Sequence, residues 1–179
     1  MKKIFLSCAL VFAAQSTAFA SRHSHPSNPA EDLPRFYEVV KDQIYRGAQP
    51  TDQGFVQLSK SQIRSVLDLR NEDPNQIATE GNLVQSLGMN FISIPLSGFF
   101  APSDKDMNQI QQILNNKSLQ PIFVHCQHGQ DRTGLVIGLY RVFTQKESAN
   151  VAEDEMLSLG FHEILLGLNF YFNEKTYGL

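Results

Sequence analysis

Between Pro121 and Phe143 the chain passes without a spacer from a wholly apolar run, PIFV, through a polar loop, HCQHGQD, into RTGLVIGLYRVF. A short apolar run with no polar alternation fits a strand covered on both faces, as in the middle of a parallel sheet. The segment after the loop has helical length. A buried strand that enters a helix directly is half of a strand-helix-strand crossover, and this commits the chain to an α/β fold.

The remaining sequence agrees with that commitment. FYEVV and QIYRG, split by Lys41-Asp42, predict a hairpin. PTDQGFVQLSKSQI predicts a helix capped by Thr51, with Phe55, Leu58 and Ile63 along one side. SVLDLR and NFISIPL predict strands, and NQIATEGNLVQSLG between them predicts a helix stopped by Gly88. SDKDMNQIQQILNN predicts a helix in which Ser103 and Asp106 are spaced as a capping box. Three further helices are predicted at RTGLVIGLYRVFTQ, ANVAEDEMLSLG and EILLGLNFYFNE. The expected architecture is a mostly parallel central sheet flanked by helices, with a ligand site beyond the carboxyl ends of the strands. HCQHGQDRTG lies at such an end.

The first twenty residues, MKKIFLSCALVFAAQSTAFA, read as a secretory signal peptide cut after Ala20. Lys2 and Lys3 form its positive start, and the apolar stretch Ile4 to Ala14 is too short to span a bilayer. A lipoprotein reading through Cys8 is weaker, because too little apolar sequence precedes it. The expectation is a periplasmic or secreted protein without stable membrane insertion. Residues 21–34, SRHSHPSNPAEDLP, predict a flexible leader, and 35–179 a single domain of ordinary size. Losing Lys2 and Lys3 with no acid takes the net charge from −3 to −5. No clustered basic face is visible, so a nucleic-acid partner is not expected. The cut also leaves Cys126 as the mature chain's one cysteine. Exported proteins tend to pair their cysteines; an odd one is either a reactive thiol or an inert buried residue.

The loop from Cys126 to Arg132 favours the reactive reading. Its backbone N–H groups, with those of the following helix's first turn, can converge on one anion, and the helix dipole adds to that field. Gly129 supplies a turn closed to other residues. Arg132 offers a planar fork of donors for two phosphate oxygens. A cysteine at the floor of such a cup sits in a positive field that favours the thiolate, and a thiolate beneath a phosphate is a nucleophile aimed at phosphorus.

HCQHGQDRT fits His-Cys-x5-Arg-Ser/Thr, and with VLDLR, the IPL strand end and IYRGAQP the chain resembles the cysteine-dependent protein tyrosine phosphatase superfamily, in its dual-specificity, atypical bacterial branch. The resemblance covers about residues 35–172. It implies that Cys126 forms a phosphocysteine and that Arg132 stabilises the transition state. It further implies that Thr133 donates a hydrogen bond to the cysteine sulfur and that His125 braces the loop. Gln127, His128, Gly129, Gln130, Asp131, Arg132 and Thr133 then bind the substrate, which is a phosphorylated small molecule or a phosphoprotein. No metal and no cofactor are implied.

One part of the pattern is displaced. The superfamily's leaving-group acid is an Asp ahead of the signature, where this chain has Ser97 and Gly98. Asp131, inside the loop, is the preferred acid, with Asp104 the alternative and Asp106 beside it. Both of those also suit a helix start. His128 as an exposed loop residue, Arg46 and Arg70 as surface or salt-bridged arginines, and Phe99 and Phe100 as core or aromatic wall complete the expectations. Inositol phosphates and phosphotyrosine both stay open as substrates. Two rival readings are a catalytically weak phosphate-binding pseudophosphatase and a rhodanese-type sulfurtransferase, whose loop is shorter.

Overall fold

A computed structural model describes residues 29–178; the signal peptide with its Ala20 cut, and residues 21–28 of the leader, lie outside the described residues. In chain order the elements are α1 (Pro29–Asp32), β1 (Tyr37–Val40), β2 (Ile44–Gly47), α2 (Asp52–Lys60), β3 (Ser65–Asp68), α3 (Pro74–Ser86) and β4 (Asn90–Ser93). Then come α4 (Asp104–Asn115), β5 (Ile122–His125), α5 (Asp131–Phe143), α6 (Ala149–Ser158) and α7 (Leu166–Tyr177). The sheet order is β1-β2-β5-β3-β4. Only the β1–β2 hairpin is antiparallel; β2, β5, β3 and β4 run parallel. Among the described residues, no helix is long and apolar enough to cross a membrane.

The central strand is β5. Ile122, Phe123 and Val124 are fully buried, as a run without polar alternation requires. One face packs on α5, whose Leu135, Val136 and Leu139 join Leu67, Val124 and Ile110 in the larger core. The other face carries Phe123 and Val66 against Phe55 and Leu58 of α2 and Val84 of α3. With helices on both faces, the parallel strands end together on one edge, and the loop after β5 opens there.

Several boundaries differ from expectation: α7, predicted from Glu163, begins at Leu166, and two others follow from long-range hydrogen bonds. Residues 29–34 are fixed rather than a flexible leader: the Asp32 carboxylate accepts hydrogen bonds from Thr51 Oγ1 at 2.7 Å and Gln57 Nε2 at 2.8 Å, and Pro34 O accepts from the Ala48 N–H. Asp32 thereby stitches the leader to the start of α2, a long-range contact that its Pro-rich surroundings do not announce. The NFISIPL strand stops at Ser93. Beyond it the Ile94 and Leu96 N–H groups bond to Asp68 O and Leu69 O, so the chain still follows β3 and lays Leu96 over the site.

Candidate active site

His125 ends β5, and Cys126 lies at the mouth of the loop, 3% exposed. The loop then curls into the first turn of α5. Among the described residues, no backbone N–H from Gln127 to Arg132 donates a hydrogen bond. A set of unpaired amides on one curl, opening a helix, is the nest that an anion fills. Gly129 makes the curl possible: its φ is +67°, and a Cβ there would lie 2.5 Å from the Ala48 nitrogen. The loop is therefore pressed against the end of β2. Arg46, on β2, clamps it from behind by donating to Gly129 O at 2.7 Å. Burial lowers the Arg46 guanidinium to about 10, while the Cys126 charge acts in the opposite sense. It is still a cation at neutral pH.

Arg132 sits over the cup. Its Nη1 donates to Glu72 Oε2 at 3.1 Å, Asn71 Oδ1 at 3.4 Å and Leu96 O at 3.4 Å, and its Nη2 is paired with Glu72 Oε1. Glu72 grips the guanidinium from one side. Of the five N–H donors, Nε–H and one on Nη2 are left without a partner among the described residues, two donors for two phosphate oxygens. Burial pushes the Glu72 carboxyl up, but the hydrogen bonds and charge of Arg132 outweigh it and hold it below its ordinary value. A cavity of about 300 Å³ opens above Cys126, lined by Glu72, Asp131 and Arg132, by Gly98, Phe99 and His128, and by His162, Ile164 and Leu165.

The segment between α6 and α7 forms one wall and is tied to the cup itself. Gln130 Nε2 donates to Gly160 O at 2.9 Å. Asp131 Oδ1 accepts both the His162 backbone N–H at 2.8 Å and a hydrogen bond with the ring Nδ1 at 3.0 Å. Phe161 is buried against Gly134 of α5, which anchors the segment from below.

Behind the cup lies a buried polar network. His125 Nε2 is 2.9 Å from Glu80 Oε1, Arg70 is paired with Glu80 at 2.6 Å and Asp68 at 2.8 Å, and Gln49 donates to Glu80 at 2.6 Å. Asp68, Glu80 and His125 lie close enough to share a cation. The cation between the two carboxylates is the Arg70 guanidinium. His125 is thus tied to Glu80 at the end of β5.

The family model described as "DSP-PTPase phosphatase fused to NAD+ Kinase" matches residues 26–165. The chain belongs to that family. Dual specificity protein phosphatase TpbA of Pseudomonas aeruginosa (strain UCBPP-PA14) is 25% identical over 118 residues, covering 66% of this chain and 51% of TpbA. The chain thus spans about half the length of that relative. The core catalytic domain of the PP-IP phosphatase SIW14 from S. cerevisiae, solved with citrate, superposes with a TM-score of 0.66 at 26% identity, covering 79% of this chain and 87% of that one. The crystal structure of P. aeruginosa TpbA gives 0.66 at 21% identity over 83% and 87%.

Within this dual-specificity phosphatase fold, the residues expected of the site are gathered unequally. Cys126, His128, Asp131 and Arg132 share one cavity, while Gln127, Gly129 and Gln130 supply backbone and struts. Thr133 is buried, but its hydroxyl makes no hydrogen bond among the described residues, to the Cys126 sulfur or elsewhere. Asp104 is removed from the cavity: its carboxylate accepts from Tyr171 Oη at 2.8 Å and pairs with Lys175 at 2.9 Å. Asp106 closes the capping box with Ser103 at 2.7 Å. Neither Arg46 nor Arg70 is on the surface: Arg70 is salt-bridged, as one of the expected alternatives had it, and Arg46 is a buried brace. Phe99 and Phe100 are not core; they are 72% and 77% exposed, held by a turn in which Ser97 Oγ accepts both their N–H groups. Glu72, Arg46 and His162 were not singled out for these roles from sequence. Only Glu72, two residues past VLDLR, left a local trace.

Proposed function

We propose that this chain hydrolyses phosphate monoesters through a phosphocysteine on Cys126. The observation that carries the reading is the cup itself, with a buried thiol at the floor of an amide-lined curl and a fixed arginine left with two free donors among the described residues. The thiolate attacks phosphorus, the bond to the leaving oxygen breaks, and that oxygen takes a proton from the Asp131 corner. Water then cleaves the phosphocysteine to inorganic phosphate and thiolate. Arg132 and the amides meet the charge on the transferring group. The route calls for no metal, so activity should survive a chelator and be blocked by vanadate. Turnover of 4-nitrophenyl phosphate tests the reading directly. Its failure with phosphate binding intact would leave a pseudophosphatase, and thiosulfate–cyanide transfer in its place would mark a sulfurtransferase.

The substrate that fits is a single phosphate on an aromatic or apolar body, as in phosphotyrosine. The cavity presents one guanidinium, no lysine, two imidazoles (His128 and His162), two carboxylates, and apolar walls from Phe99, Ile164 and Leu165. A polyphosphorylated ring would meet Glu72 and Asp131 with charge of the same sign. The name of the SIW14 relative favours phosphorylated inositols as the second reading. Comparing kcat/KM for phosphotyrosine and inositol hexakisphosphate decides between them; preference for the latter overturns the assignment. Export is proposed from the signal-like first twenty residues, and an amino terminus at Ser21 in protein recovered outside the cytoplasm would support it.

A further inference from the structure

The geometry points to His162 as the group that carries the proton to and from the leaving oxygen, with Asp131 holding it rather than acting directly. This rests on the phosphatase reading above. His162 lines the cavity that contains Cys126 and Arg132. Its ring is fixed by Nδ1 on Asp131 Oδ1, and its own backbone N–H donates to the same oxygen. Among the described residues, Nε2 has no hydrogen-bond partner. A histidine whose Nδ1–H is anchored on a carboxylate has its tautomer and ring orientation set, and the opposite nitrogen is left to exchange protons.

The surroundings are built to hold this residue in place. The two loop residues that precede Arg132 both reach the segment bearing His162, Gln130 through Gly160 O and Asp131 through His162 itself. Gly160 has φ +92°, and a Cβ there would lie 2.5 Å from Gln130 Nε2, so the segment turns where the strut needs it. An Asp whose accepting oxygen already carries two hydrogen bonds is suited to orienting a donor. The charged and titratable groups facing the ring are Asp131, Arg132 and His128 from the cup, Cys126 at its floor and Glu72 from the β3–α3 loop. Glu163 sits beside it on its own segment, and Arg35 lies near Gly160.

The steps balance. As the Cys126 sulfur bonds phosphorus and the phosphorus–oxygen bond breaks, the leaving oxygen takes the Nε2 proton and departs as an alcohol. In the second step Nε2 takes a proton from the water that attacks the phosphocysteine, which releases inorganic phosphate and the thiolate and restores the imidazolium.

The test compares wild type, His162→Asn and Asp131→Asn on glycerol phosphate and on 4-nitrophenyl phosphate across pH, with vanadate inhibition measured beside the rates. General acid catalysis is worth about 10²–10⁴-fold where the leaving oxygen needs a proton. His162→Asn should lose about 10²-fold or more on glycerol phosphate, change only a few-fold on the nitrophenyl ester, and bind vanadate as wild type. The alkaline limb of its glycerol phosphate profile should disappear. Asp131→Asn should keep that limb but lower kcat on glycerol phosphate about tenfold, because the ring is no longer held by the Asp131 carboxylate. A limb that survives His162→Asn but vanishes in Asp131→Asn would make Asp131 the direct acid and overturn the assignment. Equal loss on both substrates with weakened vanadate binding would also overturn it, by making His162 a prop for the cup. A wild type that turns over neither ester would sink the phosphatase reading itself; failure of His162 alone would leave that reading standing.

Discussion

In the proposed mechanism Cys126 and Arg132 meet the same phosphoryl group and Glu72 holds Arg132, so their replacements should fail differently. Cys126→Ser puts a protonated hydroxyl in place of a thiolate; hydrolysis of 4-nitrophenyl phosphate should drop to background while inorganic phosphate still binds by calorimetry. Arg132→Lys keeps the charge but loses the two-point fork, and kcat should fall on the order of 10²–10³-fold, as when an oxyanion donor is removed. Glu72 acts through Arg132. Charge-assisted hydrogen bonds of this kind are worth about 1.5–3 kcal/mol, whereas a half-exposed carboxylate repels a nearby anion by about 1 kcal/mol at high dielectric. Loss of orientation therefore outweighs relief of repulsion, and Glu72→Ala should lower kcat/KM roughly tenfold. That loss should be equal for nitrophenyl and glycerol phosphate, because no proton is involved. The sign with pH follows from the depressed Glu72 carboxyl: the tie is complete above the ordinary carboxylate range and is lost only as pH falls through the lowered value. Cys126 and Arg132 were legible as candidates because both sit inside one local motif. Glu72 and Arg46 were not, since their roles exist only once β2, β3 and β5 lie side by side.

The strand-loop-helix unit of β5 and α5 works as a cup because its curl is forced by a close approach to β2. Gly129→Ala would place a methyl group against the backbone of Gly47 and Ala48 at a positive φ. Backbone cannot retreat as a side chain can, so a cost of about 2 kcal/mol or more is expected. A thermal-shift measurement should then show a fall of roughly 4–8 °C, together with loss of phosphate binding. Asp104 tells the opposite story. Lys175 and Tyr171 hold its carboxyl below the ordinary value and make it a tie between α4 and α7. Asp104→Asn should leave glycerol phosphate hydrolysis within a few-fold of wild type; a 10²-fold loss would return it to the acid's role. Where an element announced itself by local chemistry, such as the apolar β5 or the Ser103 cap of α4, its sequence was enough to find it. The short strand at Asn90–Ser93 was overrun because Ile94 and Leu96 are buried like strand residues while pairing loosely beside β3.

At the scale of the whole molecule, the cup faces a rim with an unusual share of exposed apolar side chains. Phe99, Phe100, Ile164 and Leu166 all stand largely in solvent around or beside the cavity. Isolated exposed hydrophobics are ordinary, but a group that borders a site belongs to recognition. Composition could not show this, because the α6–α7 segment is brought to the cup only by the contacts of Gln130, Asp131 and Phe161. The expected outcome is a phosphotyrosine peptide with apolar flanks hydrolysed at higher kcat/KM than one with acidic flanks, since the chain carries a net charge of −3. All of this stands on covalent chemistry at one sulfur. Rapid-quench turnover of 4-nitrophenyl phosphate, followed by mass analysis of the acid-quenched protein, tests it most directly. The account predicts a burst of nitrophenol matched by one phosphoryl group on the peptide containing Cys126, and neither signal in Cys126→Ser. Nitrophenol release that persists in Cys126→Ser, or a phosphoryl group found on another residue, would contradict it.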